Sequence, residues 1–190
     1  MRRIICAKFG GRCMSTMCTI KQCVDIIMNE PAIKLVVVSA PFGVTDQLVK
    51  LCQPELSDEQ HKLCFEGIAA SITQILNDFG QPKSLHVTLS KVLADIADWH
   101  AQILENPSST VLKDHLLAFG EIISVDLFQY ALAQQMPPIK PHFVDARQLI
   151  TTDANHGQAQ PNLMAIAKNS VKIWQALSQA DVVITQGFIG

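Results

Sequence analysis

Four short β-branched runs, set apart by much longer stretches of helical periodicity, constrain this 190-residue chain more than any other feature. The runs lie at 3–8, 33–39, 142–145 and 181–186. The second reads Ile-Lys-Leu-Val-Val-Val-Ser, nearly continuous in apolar residues, as a strand covered on both faces should be. Helical patterns fill the intervals at 14–29, 45–52, 57–79, 85–104, 110–135 and 162–179. Thr110 is the expected cap of the fifth, with Asn106-Pro107 marking the loop before it, and Gly80-Gln81-Pro82 separates the third from the fourth. Strands that alternate with helices need crossover connections. The order therefore predicts an α/β fold with a mainly parallel sheet, helices on both faces, and a helical insertion between the second and third strands.

Composition narrows what such a fold can do. Charged residues make up 17% and hydrophobic residues 48%, against about 25% charged in a typical soluble domain. A chain this apolar is not disordered; it reads as a domain whose surface is partly covered by something else. Folding a chain of this mass hides roughly 20,000 Å² of surface, so neither disulfides nor a structural metal is needed to hold it. With 15 Lys and Arg against 17 Asp and Glu, the net charge is −2 and no basic stripe appears, which leaves nucleic-acid binding without support. Unbroken apolar runs reach only a few residues, so no membrane span is expected. Arg2-Arg3 followed by Ile4–Ala7 is cut short by Lys8, too early for a signal peptide. The expected location is cytoplasmic. The six cysteines show no metal-site spacing and are expected to be buried, reduced thiols. The last strand runs into Gly187–Gly190 and the sequence stops there. A buried strand feeding a glycine loop normally continues, so the chain is expected to be the first part of a longer polypeptide, with this strand left as an uncovered sheet edge.

Ligands of open parallel sheets bind beyond the carboxyl ends of the strands, and the unusual residues collect in those tails. Lys8 ends the first strand and is followed by Gly10 and Gly11. Backbone N–H groups at a helix start, with an ammonium beside them, suit phosphate oxygens; the alternative is a surface lysine before a tight turn. Ser39 and Thr45 flank a Pro–Gly turn, where they can cap the next helix, hold a substrate carboxylate, or do both. Glu121 has no basic residue three or four positions away on its helix, so it needs a cation or donor from elsewhere, either a protein lysine or a ligand ammonium. Gly120 beside it allows another backbone or a ligand to come close. Asp145 and Arg147 face one side of an extended segment, where they pair with each other or with Asp153. The histidines are scattered, with His100 and His115 expected on solvated or partly buried helix faces.

These residues resemble a family. Lys8-Phe9-Gly10-Gly11, then Ser39-Ala40 with Gly43-Val44-Thr45-Asp46 and Leu48, are similar to the opening motifs of aspartokinases. The similarity continues through Phe119-Gly120-Glu121, Phe143 with Asp145 and Arg147, and Thr152, Gly157, Ala159 and Pro161, to Ile184-Thr185-Gln186-Gly187-Phe188-Ile189-Gly190. The resemblance implies a three-layer αβα amino-acid-kinase fold, with this chain as the N-terminal, aspartate-binding part. It also implies transfer of the ATP γ-phosphoryl group to the side-chain carboxylate of L-aspartate, the first step towards lysine, threonine and methionine. By it Lys8 contacts the transferring phosphoryl group, Gly10 and Gly11 form the phosphate loop, and Ser39, Thr45 and Glu121 hold aspartate. ATP and Mg2+ are the implied cofactors and a homo-oligomer the implied state of the parent, with the main nucleotide and metal site beyond Gly190. An ionised carboxylate acceptor needs no general base, so catalysis can rest on positioning and positive charge. Arg12-Cys13 departs from the small hydroxyl residues usual after the glycine pair; Arg12 there either adds a phosphate contact or obstructs the loop. The alternatives are a kinase of another amino acid and a non-catalytic amino-acid-binding remnant.

Overall fold

The computed structural model describes residues 3–135 and 139–189; Arg2, of the N-terminal basic pair, and Gly190, the end of the glycine tail, lie outside the described residues. Strands β1 (Ile5–Phe9), β2 (Ile33–Val38), β3 (Pro141–Phe143) and β4 (Val182–Gln186) form one sheet in the order β1-β2-β4-β3, with every neighbouring pair parallel. The expected uncovered edge at β4 is therefore wrong. Inserted between β2 and β3, β4 has ladders on both sides and all five residues buried.

Successive strand residues face opposite sides of the sheet. Val36, Val38, Val182 and Ile184 join the main core, while Val183 joins a smaller one with Val144, Leu149 and Ala176. Helices α1 (Met17–Asn29) and α6 (Phe119–Gln135) pack on the first side, and α8 (Val171–Gln179) covers β4 on the second. The helical insertion between β2 and β3 consists of α2 (Val44–Leu51), α3 (Asp58–Asp78), α4 (Lys83–Glu105) and α5 (Thr110–Leu117), ahead of α6. Because α6 touches β2, β3 and β4 as well as α1, α4 and α5, it is apolar nearly all round. The stretch Thr110–Gln135 has the length and hydropathy of a membrane span, yet 67% of its apolar window is buried inside the protein. That pattern is the one a central core helix shows.

Local chemistry moves several boundaries. The expected fifth helix is two, α5 and α6, hinged at Ala118, and its cap is Ser109 rather than Thr110: the Ser109 hydroxyl accepts the Leu112 N–H. The sixth also divides, at Ser170, into α7 (Leu163–Asn169) and α8. Before α1 comes a 3-10 turn, Gly11–Met14, and α1 itself starts from a reciprocal Thr16–Thr19 capping box. Thr45 caps nothing. Gly43 occupies the cap of α2 with φ of 82°, a left-handed conformation that closes the turn in which Val44 N–H donates to Pro41 O. Of the six free thiols only Cys23, Cys52 and Cys64 are buried; Cys13 is half-buried and Cys6 and Cys18 are exposed. His100 is buried too, against the expectation of a solvated or partly buried face.

Candidate functional site

Ala40, just past the tail of β2, is where distant stretches of chain meet. Its N–H donates to Glu121 Oε1 at 3.0 Å. A Cβ on Gly11 would stand 2.7 Å from Ala40 O, and one on Gly120 would stand 2.7 Å from Ala40 Cβ. Nothing larger than glycine fits at either position without movement. Phe42 N–H donates to Gly11 O and Ser15 Oγ, and Ser39 N–H donates to Phe9 O. The tails of β1 and β2 are thus locked together largely through the backbone, and the first turn of α6 is tied to them by the Glu121 carboxylate.

Glu121 is 3% exposed. Its needed donor turns out to be the Ala40 N–H, on one oxygen only; Oε2 is buried with no partner. Burial pushes the carboxyl above its ordinary range, opposed by the Ala40 N–H, by the residue's own backbone N–H and by the charge of Lys8. Lys8 itself is exposed, with its ammonium 3.9 Å from where a Gly10 Cβ would sit. Ser39 is half-buried beside Gly187, whose Cβ would lie 3.7 Å from Ser39 Oγ and whose N–H donates to Val38 O.

The structure therefore gathers Lys8, Gly10, Gly11, Ser39 and Glu121 around Ala40. Thr45 arrives differently. It is half-buried in the first turn of α2, and its helix reaches the group through Leu48, whose Cδ1 lies 3.4 Å from a Gly120 Cβ.

Three more buried polar atoms here lack partners: Ser124 Oγ one turn along α6, Thr185 Oγ1, and Gln186 Nε2. Gln186 spends its oxygen on the Ala146 N–H. The sequence places Ala40, Thr185 and Gln186 in the motifs of the resemblance but gives them no role of their own. The signal available for the last two was polarity at the end of an apolar strand. Ala40 left none, since its role belongs to its backbone, although Gly120 correctly announced that something comes close.

The remaining polar residues have structural work. Arg12 is exposed and lies over the Phe42 ring, 5.5 Å from its centroid, on the residue whose N–H donates to Gly11 O. Asp145 pairs with Arg147 and caps the short turn after β3; the Arg147 bonds hold its carboxyl below the ordinary range. Asp153 instead accepts N–H groups of its own loop, from Asn155 and Gln160. That loop is closed by a Thr152–Pro161 bridge, and its tip is tied to α5, where Asp114 accepts from His156 and Gly157. Beneath it is a cavity of about 500 Å³ walled by Leu117, Ala118, Ile150, Phe188 and Ile189. Phe188 holds φ of 67°, unusual for a bulky residue.

Gly10 is open on the side of the Lys8 ammonium, whereas the space at Gly11 is closed by Ala40 O and the Phe42 backbone. Among the described residues no group of three His, Cys, Asp or Glu side chains is placed to hold a metal.

Comparison with known proteins follows the same lines. The model of the amino acid kinase family matches residues 3–190. Lysine-sensitive aspartokinase 3 of Escherichia coli is 29% identical over 192 residues, all of this chain and 41% of the relative. Aspartokinase of Chlamydia pneumoniae is 30% identical, over 96% of this chain and 38% of its own length. The crystal structure of E. coli aspartokinase III in complex with aspartate and ADP superposes with a TM-score of 0.89 at 26% identity, over 97% of this chain and 40% of that one. The chain spans about two fifths of the length of each of these relatives.

Proposed function

Since the chain belongs to the amino acid kinase family, we propose that it is the amino-acid-binding part of an aspartokinase, an enzyme that phosphorylates the side-chain carboxylate of L-aspartate. The observation that carries this reading is Glu121: a buried carboxylate with one oxygen anchored and the other free, beside a glycine cradle under Lys8. A ligand ammonium satisfies Oε2 and makes ionisation of Glu121 favourable. Ser39 and Thr45 offer hydroxyls to a carboxylate. Lys8 holds the phosphoryl oxygens as negative charge shifts during transfer, and the Gly10-Gly11 backbone lets them approach.

ATP, when bound, supplies the phosphoryl group. The relative's complex with ADP supports that choice of donor. Mg2+ enters the proposal as the nucleotide's companion, with its ligands outside these residues. The acceptor carboxylate is ionised at neutral pH, so no residue here has to remove a proton. The low charge fraction fits a surface partly covered in the parent enzyme, and we include a homo-oligomer and a cytoplasmic location in the proposal.

The test is an acceptor assay on the full-length protein, trapping acyl phosphate as the hydroxamate. L-aspartate is expected to give product and L-glutamate at least a hundredfold less. A reversed preference makes it a kinase of another amino acid; binding of aspartate without turnover makes it a binding module. Either overturns the reading. The 190-residue chain alone is expected to show no appreciable turnover.

A further inference from the structure

Two buried histidines hold the far end of α2. His100 Nδ1 lies 2.9 Å from Leu51 O, and His61 Nε2 lies 3.0 Å from Gln53 O. A carbonyl oxygen only accepts, so both nitrogens carry hydrogen: neutral His100 is the Nδ1–H tautomer and neutral His61 the Nε2–H tautomer. The rings meet edge-on with centroids 4.6 Å apart, and Phe65 packs edge-on against His100 at 5.3 Å. They are 5% and 7% exposed. One comes from α3 and the other from α4, and both bind the same helix end.

Helix α2 has eight residues, about 12 Å from end to end. Thr45 is in its first turn and Leu48 in its middle abuts the Gly120 position. So short a helix moves as one piece, and displacement at Leu51 is felt at Thr45. Protonation would not break the histidine bonds, because imidazolium donates as well. It would add charge to an apolar place. Burial pushes His100 below its ordinary value, the bond to Leu51 opposes this, and the neighbouring His61 adds to it; no carboxylate contributes. The other ionisable groups at this end include Lys50 in the last turn of α2, the Cys52 thiol just past it, pushed up to about 11 by burial, Glu55 in the loop beyond, Asp58 and Glu59 in the first turn of α3, and the buried Cys64 thiol. On α5 there are Lys113 and Asp114, acting on Cys52 with opposite signs, and His115, stacked on Trp99 of α4.

We propose that His61 and His100 are positioning residues for the candidate site, holding α2 and thereby Thr45 in register with Glu121, and that charge placed on the buried His100 ring loosens the site from a distance. The proposal rests on the reading of the site given above. Its sign follows from the lowered value of His100. The contribution is complete above about pH 6.5 and is lost as pH falls below it.

The test uses the isotope-labelled chain and its His100→Gln variant, which keeps a donor for Leu51 O without titrating. Ring-nitrogen NMR at pH 7.5 is expected to show the two tautomers above. Between pH 7.5 and 5.5, α2 amides should lose at least tenfold protection after correction for intrinsic exchange, while α6 amides keep theirs. L-aspartate affinity, measured by calorimetry, should fall about tenfold more in the wild type than in His100→Gln; Glu121 titrates in both. The opposite tautomers, or α2 protection that ignores pH, overturn the proposal even where the variant does not fold. Aspartate binding that ignores the loosening of α2 overturns it alone. Absence of aspartate binding at pH 7.5 strikes the reading of the site, and the inference falls with it.

Discussion

The helical insertion and the strand-tail edge treat buried polarity in opposite ways. In the insertion every buried polar side chain is answered: His61 and His100 by backbone carbonyls, and the helix starts at Ser57 and Ser109 by caps. At the tails Glu121, Ser124, Thr185 and Gln186 each keep an atom buried and unanswered. Among the described residues only Gln135 does so elsewhere. An unmet buried donor or acceptor costs about 1–3 kcal/mol, so folds eliminate such groups where nothing else uses them. One region is finished by folding; in the proposed reading a ligand finishes the other.

The sharpest attempt to break this contrast is Glu121→Gln, which keeps an acceptor for Ala40 and removes the charge. Aspartate affinity is expected to fall about a hundredfold, near 3 kcal/mol, with no loss of thermal stability. Unfolding instead of weak binding would make Glu121 structural. Next comes Gly120→Ala. The new methyl meets Ala40 at 2.7 Å, and overpacking of that kind costs about 1–3 kcal/mol, more than the helix propensity gained, about 1 kcal/mol. Denaturant melts should show a net loss together with weaker aspartate binding.

Within the finished region the effects are smaller and confined to stability. Ser109→Ala is expected to cost about 1 kcal/mol, and Thr110→Ala almost nothing; reversed effects would restore Thr110 as the cap. Asp126 tests the boundary between regions. Burial raises its carboxyl to about 6 from 3.8, so its contribution is complete below about pH 4 and is lost as pH rises through 6. Asp126→Asn should leave Tm unchanged at pH 4 and raise it by about 2 °C at pH 8.

Legibility divides along the same line. The strands were readable because β-branched runs are short and continuous, and Glu121 was readable because no neighbour on its helix could neutralise it. The place of β4 was not, since strand order is decided by where α7 and α8 return the chain, not by the strand's own residues. The caps at Ser109 and Gly43 fell one and two residues before the expected ones because nearby hydroxyls and glycines compete on geometry alone. Ala40 and the histidine pair stayed hidden for one reason: one side of each contact is a backbone group, the Ala40 N–H or the carbonyls of Leu51 and Gln53, and side-chain identity does not announce it.

The central claim is that the free oxygen of Glu121 awaits an ammonium, and calorimetry with L-aspartate and succinate on this chain at pH 7.5 tests it most directly. Succinate carries both carboxylates and lacks only the amine. The account predicts that aspartate binds at least thirtyfold more tightly, about 2 kcal/mol; equal affinity for the two would contradict it.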